Sequence, residues 1–229
     1  MVQQEDGKMI KVIYEDNHII VIEKPYNIPV MEDISKDEDM LNKVKKYIKK
    51  KYNKPGNVFV ALVHRLDRPV GGVMVFAKTS KSASRLSEQI RTNQFYKTYL
   101  CIVKDILKDK TGVLEDYLYK NKQENKSYVV KKEIKDSKIA KLKYEVLYEK
   151  NDFSLLKINL ITGRHHQIRI QLANIGYPIF GDQKYNNNTR KIQIALWAYE
   201  LSFLHPTKKE IVTFKSEPNY EMFPWSLFI

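Results

Sequence analysis

Near the start of the chain, the short apolar runs Val12-Ile13-Tyr14 and Ile19-Ile20-Val21-Ile22 are separated by the polar stretch Glu15-Asp16-Asn17-His18. This pattern predicts two strands, with Asp16-Asn17 as the turn and Pro25 ending the second. Ser35-x-x-Glu38 is a capping-box pattern, and Leu41, Val44 and Ile48 follow at helical spacing. Val73-Met74-Val75-Phe76-Ala77 predicts a short buried strand, and Ala83, Leu86 and Ile90 predict a helix after it. Residues 96–103 return to strand. Residues 120–137 are polar and lysine-rich around Tyr128-Val129-Val130, which suits a hairpin or an irregular excursion. Ala140, Leu142, Tyr144 and Val146 alternate with Lys141, Lys143 and Glu145, the pattern of a half-buried strand, and another strand covers 153–160. After the turn Thr162-Gly163-Arg164, residues 165–175 predict a helix stopped by Gly176. A polar loop at 181–190, an apolar stretch at 192–204 and a last strand at 210–214 complete the chain. Strands outnumber helices and come in runs. The expected class is therefore α+β, with a mixed, mainly antiparallel central sheet and flanking helices.

At 229 residues the chain can bury a core without disulfides or metals. No repeat and no Ser/Gly/Pro-rich linker divides it, so residues 1–229 are expected to form one domain. Lys and Arg number 40 against 27 Asp and Glu, a net charge of +13. That excess suits a polyanionic partner, nucleic acid before membrane, although charge alone also fits simple solubility. No apolar stretch approaches the roughly 20 residues of a membrane-spanning helix. The polar N-terminus lacks a signal-peptide core, and a cytoplasmic monomer is expected. Cys101 is the sole cysteine, which excludes an internal disulfide and a Cys-based zinc site. Its apolar neighbours predict a buried structural thiol. The helix over the 40s carries Lys43, Lys45, Lys46, Lys49, Lys50 and Lys51, with Lys54 just beyond and no acid between Lys43 and Lys54. A solvated face and a contact with an RNA backbone explain that run equally well.

Two clusters can carry chemistry. His64-Arg65-Leu66-Asp67-Arg68-Pro69-Val70-Gly71-Gly72 places one carboxylate between two arginines, on a segment that Pro69, Gly71 and Gly72 keep from being helical. A fixed, ionised Asp67 can act as nucleophile or base; a loop ion pair is the plainer alternative. Arg68 is a candidate substrate contact. In the second cluster, Arg164 and His165 at the start of a helix can point donors at a phosphate. His166 reads as a structural histidine. The His165-His166 pair has no Glu at metal-site spacing, so no metal is expected. No Walker loop, Gly-x-Gly-x-x-Gly or Gly-x-Ser-x-Gly motif is present.

His64-Arg65-Leu66-Asp67, followed by Gly72 and Ala77-Lys78, resembles the signature motif of the RluA family of pseudouridine synthases. Four further stretches resemble that family's motifs, in the right order. They are Tyr14-Glu15-Asp16-Asn17 through Lys24-Pro25; Lys97-Thr98-Tyr99; Thr162-Gly163-Arg164 through Arg169 with Gly181-Asp182; and Ala195-Leu196-Trp197-Ala198 with His205-Pro206.

The resemblance implies a pseudouridine synthase fold and conversion of uridine to pseudouridine in RNA, without cofactor or metal. It implies Asp67 as the catalytic aspartate, Tyr99 as the ring that stacks on the target uracil, and Arg169 as the arginine pairing with the carboxylate. Arg65 would help hold the flipped-out nucleotide, and Leu196 would form an apolar wall. Attack on the ribose anomeric carbon, removal of a ribose proton and addition to carbon 6 of uracil all remain open as routes for Asp67. Ribosomal RNA is the first expected substrate and transfer RNA the second. A non-catalytic RNA-binding or ribosome-assembly factor on the same fold is the rival from another class. The chain departs from the family pattern at Val70 and Gly71, where Thr and Ser are frequent, at Gln171 and Trp197, where His is common, and at His165, where Thr is frequent. Few residues precede the first strand, so no separate N-terminal RNA-binding module is expected.

Overall fold

The computed structural model describes residues 10–186 and 192–229. In chain order the elements are β1 (Lys11–Glu15), β2 (Ile19–Lys24), α1 (Met40–Lys51), β3 (Ala61–Leu62), β4 (Gly71–Ala77), α2 (Ser80–Arg91), β5 (Tyr96–Lys104), β6 (Thr111–Asn121), β7 (Lys126–Val130), β8 (Lys138–Lys150), β9 (Phe153–Leu160), α3 (Gln167–Asn174), β10 (Leu196–Leu204) and β11 (Ile211–Lys215). A 3₁₀ turn, Trp225–Phe228, follows. The strands form one sheet in the order β1-β2-β4-β10-β5-β9-β8-β6-β7, with β3 added to β4 and β11 to β10. Among the described residues only β4 and β10 pair in parallel; the other ladders are antiparallel. The expected α+β class and mixed, mainly antiparallel sheet are what the chain adopts.

The middle of the sheet is covered on both faces, and side chains alternate between them. Ile20 and Ile22 of β2 pack on one side with Met74 and Phe76 of β4, beneath Met40, Val44 and Ile48 of α1 and Leu172 of α3. Ile19 and Val21 pack on the other side with Val73 and Val75, beneath Leu86 of α2. Twelve residues of α1, crowded with lysines, would be marginal as a free helix. Docking Met40, Val44 and Ile48 contributes roughly 1.5–3 kcal/mol for each side chain and stabilises it.

Several local expectations are corrected. The cap of α1 is Asp39, whose Oδ1 accepts from the Asn42 amide at 2.9 Å. Ser35 instead bonds Asp33 within the preceding loop. Strand β6 was not anticipated, because Leu118 is its only buried side chain and no apolar alternation marks it. Its ladders to β7 and β8 define it instead. Helix α3 begins at Gln167, not at 165. Gln167 Oε1 accepts from Thr162 Oγ1 at 2.7 Å and from the Arg164 amide at 3.0 Å, which ties down the turn before the helix. His166 adopts a left-handed φ of 54° and ends the turn. Part of the polar loop expected at 181–190 lies outside the described residues.

β4 and β10 meet in parallel at the end of the loop that carries Asp67. Trp197 lies beside Gly71 and Ala198 beside Gly72, while β5 on the far side of β10 sets Tyr99 opposite Ala198. A Cβ on Gly72 would lie 2.2 Å from the Ala198 carbonyl oxygen, and its φ is +122°. A Cβ on Gly71 would lie 2.2 Å from the Trp197 ring. The indole at 197 therefore occupies the space a side chain at 71 would need. Its Nε1 donates to the Ser216 carbonyl at 2.8 Å.

Candidate active site

Asp67 lies in the loop between β3 and β4. Lys24, the last residue of β2, holds that loop from beneath. Its buried Nζ donates to the carbonyls of Pro25 at 2.9 Å, Arg68 at 3.0 Å and Val70 at 2.7 Å. The ammonium thereby uses all three of its hydrogens. Burial pulls Lys24 down to about 7, and the charge of Asp67 opposes that fall.

Arg169, on α3, is buried. Its Nε and Nη2 donate to the two oxygens of buried Asp182 at 2.7 Å each, and Nη1 reaches Asp67 Oδ2 at 3.2 Å. Arg169 pairs with Asp67 as the resemblance implies, but its bidentate partner is Asp182. Burial works against the guanidinium's charge, and the Asp182 and Asp67 carboxylates outweigh it. Tyr99, on β5, is buried in the same core cluster as Leu196. Burial first, then the charge of Asp67, push its phenol well above the ordinary value.

All eight residues singled out from the sequence line one cleft of about 1770 Å³: Arg65, Asp67, Arg68, Tyr99, Arg164, His165, Arg169 and Leu196. Small-molecule pockets run to roughly 300–1,000 Å³, so this space suits part of a polymer. Neither Arg65 nor Arg68 contacts Asp67, so the loop ion pair that their position in the chain allows does not form. Arg65 is exposed, its Nη1 lying 3.8 Å from Met31 Sδ. Arg68 turns outward to the Asn27 carbonyl, Ser35, Asp33 and Asp37. Arg68 opens a turn closed by the Val70 amide on the Asp67 carbonyl at 3.0 Å, and adjacency in sequence does not bring either guanidinium to the carboxylate. Arg164 donates Nε to the Ile139 carbonyl at 2.8 Å.

The two histidines lie before α3 rather than on it, and their rings stack with centroids 3.7 Å apart. His165 meets Ser127 Oγ at 2.9 Å and Asn125 Oδ1 at 3.1 Å. Burial, with Lys120 next in weight, pushes its ring down to about 4. The reading of the pair as the first residues of a helix is therefore corrected. His64 is structural: its Nε2 accepts from the Val75 amide at 3.1 Å, and burial pushes the ring down to about 3. Cys101 is buried, and burial raises its thiol, as expected for a structural residue. Sequence reasoning missed Lys97 as a cleft residue. It sits two positions before Tyr99 on the same strand face, and burial followed by Arg164 lowers its pKa. The Lys97-x-Tyr99 spacing was the available signal.

The lysine helix is less free than it reads in sequence. Glu38 pairs with Lys43 and Lys46 at 2.6 Å each, and Glu15 with Lys51 at 2.7 Å. Lys45, Lys49 and Lys50 make no ion pair among the described residues. If this helix tracks an RNA backbone, replacing Lys45, Lys46, Lys49 and Lys50 with Gln should weaken RNA binding for all sequences alike and flatten its salt dependence, with turnover at saturating RNA unchanged. Affinity measured across a salt series checks this; an unchanged slope would make the helix a solvated face.

A carboxylate held by an arginine and a tyrosine ring thus share a cleft with basic walls. Residues 18–174 match the family model described as RNA pseudouridylate synthase. An uncharacterized RNA pseudouridine synthase of Aquifex aeolicus is 34% identical over 221 residues, covering 91% of this chain and 69% of that protein. Ribosomal large subunit pseudouridine synthase D of Borreliella burgdorferi is 31% identical over 199 residues, covering 84% of this chain and 60% of that protein. The solved structure of human RNA pseudouridylate synthase domain containing 4 shares the fold, with a TM-score of 0.77, 23% identity, and coverage of 92% of this chain and 89% of that one. The chain belongs to the RNA pseudouridylate synthase family. It spans 60% to 69% of the length of these two curated relatives.

Proposed function

We propose that this chain converts uridine to pseudouridine in RNA of the cytoplasm, with ribosomal RNA as the substrate and Asp67 as the reacting carboxylate. The observation that carries this reading is the convergence of Asp67, Tyr99 and Arg169 on one cleft lined by cations. The target base has to leave its stack before a protein group can reach it. Tyr99 offers a ring for the extruded uracil, worth roughly 1–3 kcal/mol, and Leu196 an apolar wall beside it. Arg65, Arg68 and Arg164 line the same cleft and suit backbone phosphates. Arg169 keeps a positive charge against Asp67 throughout.

Uridine and pseudouridine are isomers. The bond from the anomeric carbon to N1 of uracil breaks, one to C5 forms, and the hydrogen lost from C5 is matched by one gained at N1. The balance calls for no oxidant or reductant. Ribosomal RNA is favoured because the Borreliella burgdorferi relative is named for the large ribosomal subunit.

Pseudouridine mapping of total RNA from cells with and without this protein tests the proposal. A site in large-subunit ribosomal RNA should vanish in its absence. Loss only in transfer RNA would move the substrate, and an unchanged map would overturn the function. The role of the ring is tested separately. Tyr99→Phe should bind RNA almost as well as the wild type, and Tyr99→Ala markedly less well. Normal binding with far slower turnover in Tyr99→Phe would instead give the hydroxyl a part in proton transfer.

A further inference from the structure

Tyr185 stands in the loop after Asp182, whose Oδ1 accepts from the amides of Lys184 at 2.9 Å and Tyr185 at 3.2 Å. Its ring lies under the Arg169 guanidinium, 5.4 Å from centroid to carbon. Its hydroxyl oxygen accepts from the Ser127 amide at 2.8 Å and lies 2.9 Å from His166 Nδ1. A phenol has one hydrogen to give. Among the described residues, His166 Nδ1 is the acceptor within reach of it. His166 itself stays neutral, because burial first, then Arg169, His165 and Lys184, push its ring down to about 2. A neutral imidazole that accepts at Nδ1 carries its hydrogen on Nε2. That nitrogen lies 3.6 Å from Asp67 Oδ2, the oxygen that also faces Arg169 at 3.2 Å. Such approaches in free enzymes commonly shorten to full hydrogen bonds when substrate binds. Among the described residues Asp67 Oδ1 takes no hydrogen bond.

We propose that Tyr185 and His166 are positioning residues that hold Asp67 by one oxygen. Tyr185 fixes His166 as the Nε2–H form, and that N–H joins Arg169 in holding Oδ2, so that Oδ1 is the oxygen presented to the uridine. The inference rests on the pseudouridine synthase reading and adds to it which oxygen reacts and what selects it. The sequence assigned His166 a structural place and did not single out Tyr185.

The test has two readouts on the full chain. Nitrogen-15 spectra of the histidine rings in the free protein need no RNA. They should show His166 protonated at Nε2 in the wild type, with that preference lost in Tyr185→Phe. Steady-state turnover on the mapped RNA should show kcat lowered about tenfold in Tyr185→Phe with KM nearly unchanged, as one orienting hydrogen bond is lost. His166→Gln keeps an N–H where Nε2 stood and no longer depends on the phenol. On that background Tyr185→Phe should cost no further kcat, a non-additivity that a purely structural role would not produce. A wild-type His166 protonated at Nδ1, an unchanged kcat in Tyr185→Phe, or additive losses in the double variant would each overturn the proposal. If the wild type turns over no RNA, the functional reading falls on its own, and the spectra still decide the relay.

Discussion

Asp67→Asn is expected to bring pseudouridine formation below detection while RNA affinity stays within about tenfold, or roughly 1.4 kcal/mol. The amide keeps the carboxylate's shape but not its charge, and every route open to the residue needs that charge. Binding should survive because other groups supply it. Arg65, Arg164 and Lys97 line the cleft independently of Asp67, and Lys24 fixes the loop through carbonyls rather than through the carboxylate. The fold should survive as well, since Arg169 retains its two bonds to Asp182. Quantifying pseudouridine in RNA after single-turnover incubation, beside an equilibrium binding curve, checks both halves. Turnover near the wild-type rate would remove Asp67 as the reacting group.

Arg169→Ala should damage stability as well as catalysis. The guanidinium is the shared partner of Asp182, which is fully buried, and of Asp67, which is about a quarter exposed. Removing one member of a buried pair leaves the other charge in a poor dielectric, at a cost on the order of 3–5 kcal/mol. The loss should fall mainly on Asp182, because its bidentate contact is the shorter and the drier of the two. Denaturant unfolding of Arg169→Ala and of Arg169→Ala with Asp182→Asn distinguishes the contributions. The second change removes the buried charge that has lost its guanidinium and should recover part of the loss. A melting curve for Arg169→Ala like that of the wild type would mean that the pair adds nothing to stability.

Much of the architecture was legible because its strands are short and buried on one or both faces. Ile19-Ile20-Val21-Ile22 and residues 73–77 read as strands since nearly every side chain meets a core. Strand β6 was not legible, because its order comes from partners distant in sequence. The start of α3 was misplaced because a left-handed residue, His166, leaves no mark in a hydrophobic pattern. The eight residues singled out as candidates line one cleft, but which of their charges meet could not be read from adjacency in the chain.

Residue order alone carried the class of fold, the basic character of the chain and the motif bearing Asp67, since these depend on composition, periodicity and local spacing. Tertiary structure decided which charges meet. Arg65 and Arg68, beside Asp67 in the chain, face elsewhere, whereas Arg169, 102 positions away, reaches it. It also brought Lys24 to the loop that bears Asp67, Asp182 to Arg169, and Tyr185 to His166. The physical reason is range. Backbone periodicity acts over a few residues, but Coulomb and hydrogen-bond partners are chosen by distances of a few ångströms in space, which sheet registry sets and sequence separation does not.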